Sequence, residues 1–263
     1  MKITALTSCC ADFFPEQDQI YVGGNSLNFA TQCKQSGIED VSVIGGIGHD
    51  EFGRLISDHL KKAEINHRHL YTIAEPTASN KIYVNEAGDR YFNADSWQGG
   101  AFDAFRLSEN DWKLVEESDL IAMPGGDPNL EALLHRRHDD QLVVIDFLDY
   151  LALDFIEQHI ANIDIVFLSG KEESLVKLQA LSSQYGKMIV TTLGAKGSIA
   201  FYDGKTYNQQ AIEVAEVVDT TGCGDAFQAA FSINWLQLKD ISKAMQAGAE
   251  AASKVLSFMG GVA

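Results

Sequence analysis

Asp219-Thr220-Thr221-Gly222-Cys223-Gly224-Asp225 runs directly into Ala226-Phe227-Gln228-Ala229-Ala230-Phe231. The two glycines around Cys223 allow a tight turn whose N–H groups point into one space. The apolar run that follows reads as a buried helix, so the turn lies at a helix N-terminus. Unpaired N–H donors and the positive end of the helix dipole make such a place an anion site. Asp225 falls in the first helical turn, where a carboxylate could take a proton while the donors hold a transferring phosphoryl group. Spacing alone leaves a second reading equally open. Asp225 would then merely suit the helix terminus, and the glycines would merely turn the chain.

A buried helix needs a surface to pack on, and the rest of the chain supplies one. Short runs that are apolar on both faces occur at 3–6, 41–44, 120–123, 142–145, 165–168 and 188–191, each reading as a buried strand. Helical patterns at 27–36, 52–63, 130–135, 151–159 and 172–185 alternate with them. Strand and helix in alternation predict a mostly parallel sheet covered on both faces, with ligands at the carboxyl ends of its strands. Residues 11–22 and 73–92 break the pattern. Asn85-Glu86-Ala87-Gly88-Asp89 reads there as a hairpin turn between 80–84 and 90–92. These stretches predict a small antiparallel flap over one end of the sheet, with edge strands of the main sheet as the alternative.

Composition narrows the function classes. The 263 residues suffice for one α/β domain, and 46% hydrophobic with 22% charged residues is ordinary for a folded protein. A net charge of −17 argues against a nucleic-acid partner, which demands Lys and Arg. No apolar run is long enough to span a membrane, and the first residues lack a signal peptide's features, so a cytoplasmic location is expected. Cys9, Cys10, Cys33 and Cys223 show no metal-ligand spacing and read as reduced thiols. His67 and His69 read as exposed side chains near a strand start. Gly204-Lys205-Thr206 lacks the first glycine of a phosphate-binding P-loop, Ile199 standing there, and reads as a hairpin closure.

The run 219–225 resembles the second signature of the ribokinase-like, or PfkB, carbohydrate kinases, and Gly23-Gly24-Asn25-Ser26-Leu27-Asn28-Phe29-Ala30 resembles the first, in the family's order and spacing. The resemblance covers the chain from end to end. It implies one ribokinase-like three-layer α/β sandwich over 1–263, with a mostly parallel sheet and a small β-lid from about 11–22 and 73–98. It further implies ATP-dependent phosphorylation of a sugar hydroxyl with Asp225 as base and the amides of Gly222, Cys223 and Gly224 as anion hole. Asp12, Gly23, Gly24, Asn25, Asn28 and Arg90 would bind substrate. Thr192, Gly194, Gly197 and Thr221 would bind nucleotide, with Lys196 reading either as a phosphate contact or as a solvated side chain. Glu172 would organise Mg2+ through water, and Asp219 matches a position associated with a monovalent cation such as K+.

Two family motifs depart from pattern. Ser169-Gly170-Lys171-Glu172 has serine for asparagine, and Asp146-Phe147-Leu148-Asp149-Tyr150 lacks the family's arginine. Asp12-Phe13-Phe14-Pro15, the first signature's form, Asp146-Phe147 with Asp149, and Gly88-Asp89-Arg90-Tyr91-Phe92 look most like the members that phosphorylate fructosamines such as fructoselysine. For an ammonium-bearing substrate, Asp95, Asp127 and Asp149 are available acids. A nucleoside kinase, with Phe14, Tyr91, Phe92 and Trp97 framing a base, remains an alternative, as does a sugar-phosphate kinase using Arg90. A non-catalytic sugar or nucleotide sensor is the alternative of another class. The stretch 45–53, with His49-Asp50-Glu51-Phe52-Gly53, would shape a helix start beside the substrate. The resemblance also implies a homodimer through the flap.

Overall fold

The computed structural model describes residues 1–84, 90–149 and 152–262. The strands are β1 (Lys2–Leu6), β2 (Cys10–Phe14), β3 (Gln19–Gly23), β4 (Asp40–Ile47), β5 (Asn66–Thr72), β6 (Ser79–Lys81), β7 (Tyr83–Val84), β8 (Arg90–Tyr91) and β9 (Trp97–Gln98), then β10 (Leu120–Pro124), β11 (Leu142–Asp146), β12 (Ile165–Ser169), β13 (Met188–Thr192), β14 (Ser198–Tyr202) and β15 (Lys205–Gln209). The helices are α1 (Asn25–Gln35), α2 (Glu51–Lys62), α3 (Gly100–Ala104), α4 (Glu109–Glu116), α5 (Leu130–Arg136), α6 (Leu153–His159), α7 (Leu175–Tyr185), α8 (Cys223–Leu238) and α9 (Ile241–Val255).

Nine strands form the main sheet in the order β15-β14-β13-β12-β11-β10-β1-β4-β5. The run from β13 to β5 is parallel, and β14 and β15 add an antiparallel edge. Each of the six strands expected from its apolar run lies in the parallel part. Alternate residues feed opposite faces, as the two-residue period of a strand requires. Leu120 and Ala122 join a core with α1, α2, α8 and α9, whereas Ile121 and Met123 join one with α4, α5, α6 and α7. Two cores on one sheet make three layers.

β2, β3, β6 and β9 build a separate four-stranded sheet, ordered β3-β2-β6-β9, rather than edges of the main one. Its pairing corrects the expectation of a purely antiparallel flap: β2 runs parallel to β6, because β3, α1, β4, α2 and β5 intervene before the chain returns. β7 and β8 pair antiparallel, Tyr83 opposite Tyr91, and the turn expected at 85–89 lies outside the described residues. The hairpin expected at Gly204 closes β14 on β15, with φ of 52° at Asp203 and 69° at Gly204 suiting a two-residue turn.

Four elements escaped the sequence reading, among them α9, for which no helical pattern is singled out. β5 is polar along much of its length, and α3 is a single turn. α4 announces itself only by a capping box between Ser108 and Asp111. The Asp111 carboxylate also accepts from Tyr71 at 2.7 Å and lies 2.6 Å from His69 Nδ1. His69 is therefore half-buried and partnered, not an exposed strand-start histidine. Among the described residues no helix is long and apolar enough to cross a membrane.

Candidate active site

Asp225 stands in the first turn of α8, whose N-cap is Gly222 at φ 78° with no side-chain cap. Its carboxylate is held on both oxygens. Asn25 Nδ2 donates to Oδ1 at 2.7 Å and Asn28 Nδ2 donates to Oδ2 at 2.8 Å. Both asparagines sit one helical turn apart at the start of α1, so one face of that helix presents both amides. The two signatures, some 200 residues apart, thus meet at the dipole-positive ends of two helices. Asn28 is 3% exposed, and its Oδ1 has no hydrogen-bond partner among the described residues.

The glycines of both signatures are fixed by close approach. A Cβ on Gly222 would lie 2.5 Å from Gly261 Cα, and one on Gly261 would lie 2.4 Å from Asn28 Nδ2. A Cβ on Gly23 would strike the Asp12 carboxylate at 2.1 Å, and Gly24 adopts φ 103° against the Ser8 carbonyl. Asp12, on β2, is buried. The Cys10 thiol is pushed well above its ordinary value by burial and then by the charges of Asp12 and Asp225, so both acids lie within its electrostatic reach. Cys9, Cys10 and Cys33 are buried free thiols, and Cys223 is a partly exposed one.

Asp219 and Thr221 pair with each other. Asp219 Oδ1 accepts from Thr221 N and Oγ1 at 2.9 and 2.8 Å, and Oδ2 accepts from Gly260 N at 2.9 Å. This ties the segment after α9 to the glycine turn. Cys223 N donates to the Thr220 carbonyl at a long 3.4 Å.

A second cluster gathers at the carboxyl ends of β12 and β13. Lys196 Nζ lies 2.7 Å from Glu172 Oε1, and this exposed ammonium holds the Glu172 carboxyl below its ordinary value. Gly170 N donates to the Thr192 carbonyl, and Ser169 Oγ lies 3.4 Å from Thr192 Oγ1. Gly194 and Gly197 both have positive φ, and a Cβ on Gly197 would lie 2.1 Å from the Gln209 carbonyl.

Not every expected residue joins these clusters. Phe14 is fully buried edge-on to Tyr21 and cannot frame a ligand, while Tyr91, Phe92 and Trp97 are exposed. Asp95 pairs with Lys81 at 3.5 Å, and Asp149 is exposed. The Asp127 Oδ1 accepts from Asn129 N and Nδ2, and burial raises its carboxyl to about 7 despite those bonds. Arg90 belongs to β8, but its side chain lies outside the described residues. Asp50 caps α2 through Gly53 N at 2.8 Å and reaches Thr77 N and Oγ1 at 2.7 and 2.6 Å. The helix start expected at 45–53 is thereby tied to the segment entering the small sheet.

Asp146, part of an altered family motif, has no role of its own in the sequence reading, and Gln228 is not singled out there. Asp146, at the carboxyl end of β11, accepts from Asn25 Nδ2 and from Gln228 Nε2, each at 2.7 Å. An acid ending an otherwise apolar strand was the available signal for Asp146. Gln228, a polar residue inside the apolar start of α8, was the signal for itself.

The pfkB family carbohydrate kinase model matches residues 15–263. The chain belongs to that family, and it is a carbohydrate kinase. Within the family it is 28% identical over 256 residues to fructoselysine 6-kinase of Escherichia coli, covering 95% of each chain. It is 29% identical over 271 residues to a fructosamine kinase of Bacillus subtilis, covering 99% of this chain and 92% of that one. The fold matches Arabidopsis thaliana ribokinase, solved with ribose and ATP, at a TM-score of 0.80 and 22% identity, over 98% of this chain and 93% of that one. This pfkB kinase therefore carries the ribokinase-like α/β fold expected of the two signatures.

Proposed function

We propose that this kinase uses ATP to phosphorylate a hydroxyl of a fructosamine such as fructoselysine. The observation that carries the reading is the Asp225 carboxylate, held on both oxygens by Asn25 and Asn28 at the uncapped N-terminus of α8. In this reading Asp225 takes the proton of the attacking hydroxyl. The amides of Gly222, Cys223 and Gly224 face the charge that builds on the moving phosphoryl group. The free Oδ1 of Asn28 accepts from a substrate hydroxyl. Asp12, packed on Gly23 beside Gly24, takes further hydroxyls. The relatives' printed activities support a fructosamine over other sugars.

Thr192, Gly194 and Gly197 would hold nucleotide, with Thr221 beside the anion hole and Lys196 reaching phosphate. Mg2+, when bound with ATP, neutralises phosphate charge. Such an ion keeps several waters and needs one or two carboxylates besides phosphate. Glu172, exposed near these glycines, fits that water-mediated part, and no group of three or more acidic, His or Cys residues is built among the described residues to cage the ion directly. At Asp219, K+ would share a carboxylate already accepting three hydrogen bonds, which a comparison of KCl with choline chloride tests. The small sheet, drawn from about 11–22 and 73–98, serves as a lid. Ile20 and Trp97, exposed on it, and exposed Tyr91 of β8 would pair with a second copy, which light scattering checks.

The test is ADP release with magnesium-ATP across fructoselysine, related fructosamines, ribose, fructose, fructose phosphates and adenosine, beside Asp225→Asn. Fructosamine turnover that falls by about 10³-fold or more in the variant is expected. Strong ribose turnover with none of any fructosamine would refute the substrate. Preference for adenosine would favour the nucleoside reading, in which exposed Tyr91, Phe92 and Trp97 frame a base. Preference for a sugar phosphate would implicate Arg90. ATP binding without any turnover would point to a sensor.

A further inference from the structure

Asp146 has no part in the chemistry outlined above, yet it bonds to both helices that carry Asp225 and its asparagine partners. It is 5% exposed and forms no ion pair among the described residues. Oδ1 accepts from Leu148 N at 2.9 Å, and Oδ2 accepts from Asn25 Nδ2 and Gln228 Nε2, both at 2.7 Å. These donors come from the segment after β11, from α1 and from α8. Asn25 Nδ2 donates at the same distance to Asp225 Oδ1. A primary amide has two N–H groups, so Asp146 and Asp225 take one each and the plane of the Asn25 amide is set by both. Leu148 meanwhile adopts φ 54°, a left-handed conformation unfavourable for leucine, while its N–H is held by Asp146.

We propose that Asp146 is a positioning residue: it orients the Asn25 amide, and through it holds the Asp225 carboxylate aimed between α1 and α8. The proposal rests on the reading of Asp225 as the base. A buried acid without a cation is costly, and packing alone would be served better by a neutral group. Asparagine, however, offers one acceptor oxygen and cannot take all three donors. Only a carboxylate can.

The same arrangement makes the bridge sensitive to protonation. Protonation removes the charge that draws the three N–H donors, and on Oδ2, which already takes two of them, a proton displaces a partner. Burial raises the Asp146 carboxyl to about 6, the bonds from Gln228, Leu148 and Asn25 draw it down, and the charge of Asp149 pushes it up. The groups facing it are Asn25 from α1, Gln228 from α8, Leu148 and Asp149 from the following segment, and Asp225 across the shared amide. None of these is basic. Acidification toward the Asp146 midpoint therefore loosens Asn25 at a pH above the ordinary carboxylate range.

The test begins with a readout that needs no substrate. In protein labelled with 15N-asparagine, the Asn25 side-chain resonance, assigned by its loss in Asn25→Ala, is followed from about pH 5 to 8. It should titrate with a midpoint of about 6, persist in Asp225→Asn, and be flat in Asp146→Asn. A flat wild-type signal, or a titration surviving Asp146→Asn, overturns the proposal. Kinetics with the best sugar of the panel come second. Asp146→Asn should lower kcat by about 10–100-fold with both KM values within about threefold, since a misplaced reacting group costs rate before binding. On an Asn25→Ala background the same change should cost less than about threefold, because it acts through Asn25. Losses that multiply in full, or that track melting temperature and KM together, overturn it. Failure of every sugar in the panel would sink the functional reading, whereas the amide titration decides the Asp146–Asn25 bridge by itself.

Discussion

Alanine at Gly222 would place a Cβ 2.5 Å from both the Cα and the carbonyl oxygen of Gly261, in a residue whose φ of 78° already disfavours a side chain. The left-handed conformation costs about 1–2 kcal/mol. Gly261 cannot retreat freely, because its own Cβ direction is blocked by Asn28 Nδ2 at 2.4 Å. Forcing backbone apart in a packed region adds about 1–3 kcal/mol. Together these give about 2–5 kcal/mol. In a chain of this size each kcal/mol lowers Tm by about 2–4 °C, so Gly222→Ala should melt on the order of 5–15 °C early. Gly224 provides the internal control. It lies inside α8, and a Cβ there meets nothing within 4 Å. Gly224→Ala should therefore gain about 0.5–1 kcal/mol from helix propensity and raise Tm slightly. Thermal melts by circular dichroism on both variants and wild type decide the matter. Equal destabilisation by the two changes, or a wild-type Tm for Gly222→Ala, would refute the packing of the Gly260-Gly261 segment on the glycine turn.

Two buried or half-buried acids should respond to pH with opposite sign. Burial alone would raise Asp50, but the bonds from Thr77 and Gly53 outweigh it and hold the carboxyl below its ordinary value. A lowered value means stabilisation that is present above the ordinary carboxylate range and lost as pH falls through it. Asp50→Asn should thus cost about 1–3 kcal/mol at neutral pH, with the gap to wild type closing below about pH 4, as urea unfolding at the two pH values would show. Asp127 is raised by burial from 3.8 to about 7, so its protonated form stabilises the fold at low pH and that contribution fades as pH rises toward 7. Asp127→Asn keeps an acceptor for Asn129 and should exceed wild type in stability by on the order of 2–4 kcal/mol near pH 8. At about pH 4 the two should be equal, and a variant weaker than wild type at alkaline pH would contradict the assignment.

What the sequence determined by itself is what local physics dictates. Six short apolar runs became six parallel strands because a strand buried on both faces must be apolar at every position. Asp225 fell in the first turn of α8 because Gly222 permits the positive φ that opens the helix, and Asp50 capped α2 through a bond spanning three residues. The two signatures could be assigned to one site through the family resemblance, which matched both in order and spacing. Tertiary structure alone decided the rest. Asn25 bridges Asp146 and Asp225 across 121 and 200 residues, and no local pattern records a hydrogen bond of that separation. Gly261 wedges between Gly222 and Asn28, although its place in the sequence gives it no special spacing to either. β2 pairs in parallel with β6 because β3 and then two helices and two strands of the main layers, α1, β4, α2 and β5, come between them. Polar β5 finds its place only because β4 offers an open edge of hydrogen-bonding groups.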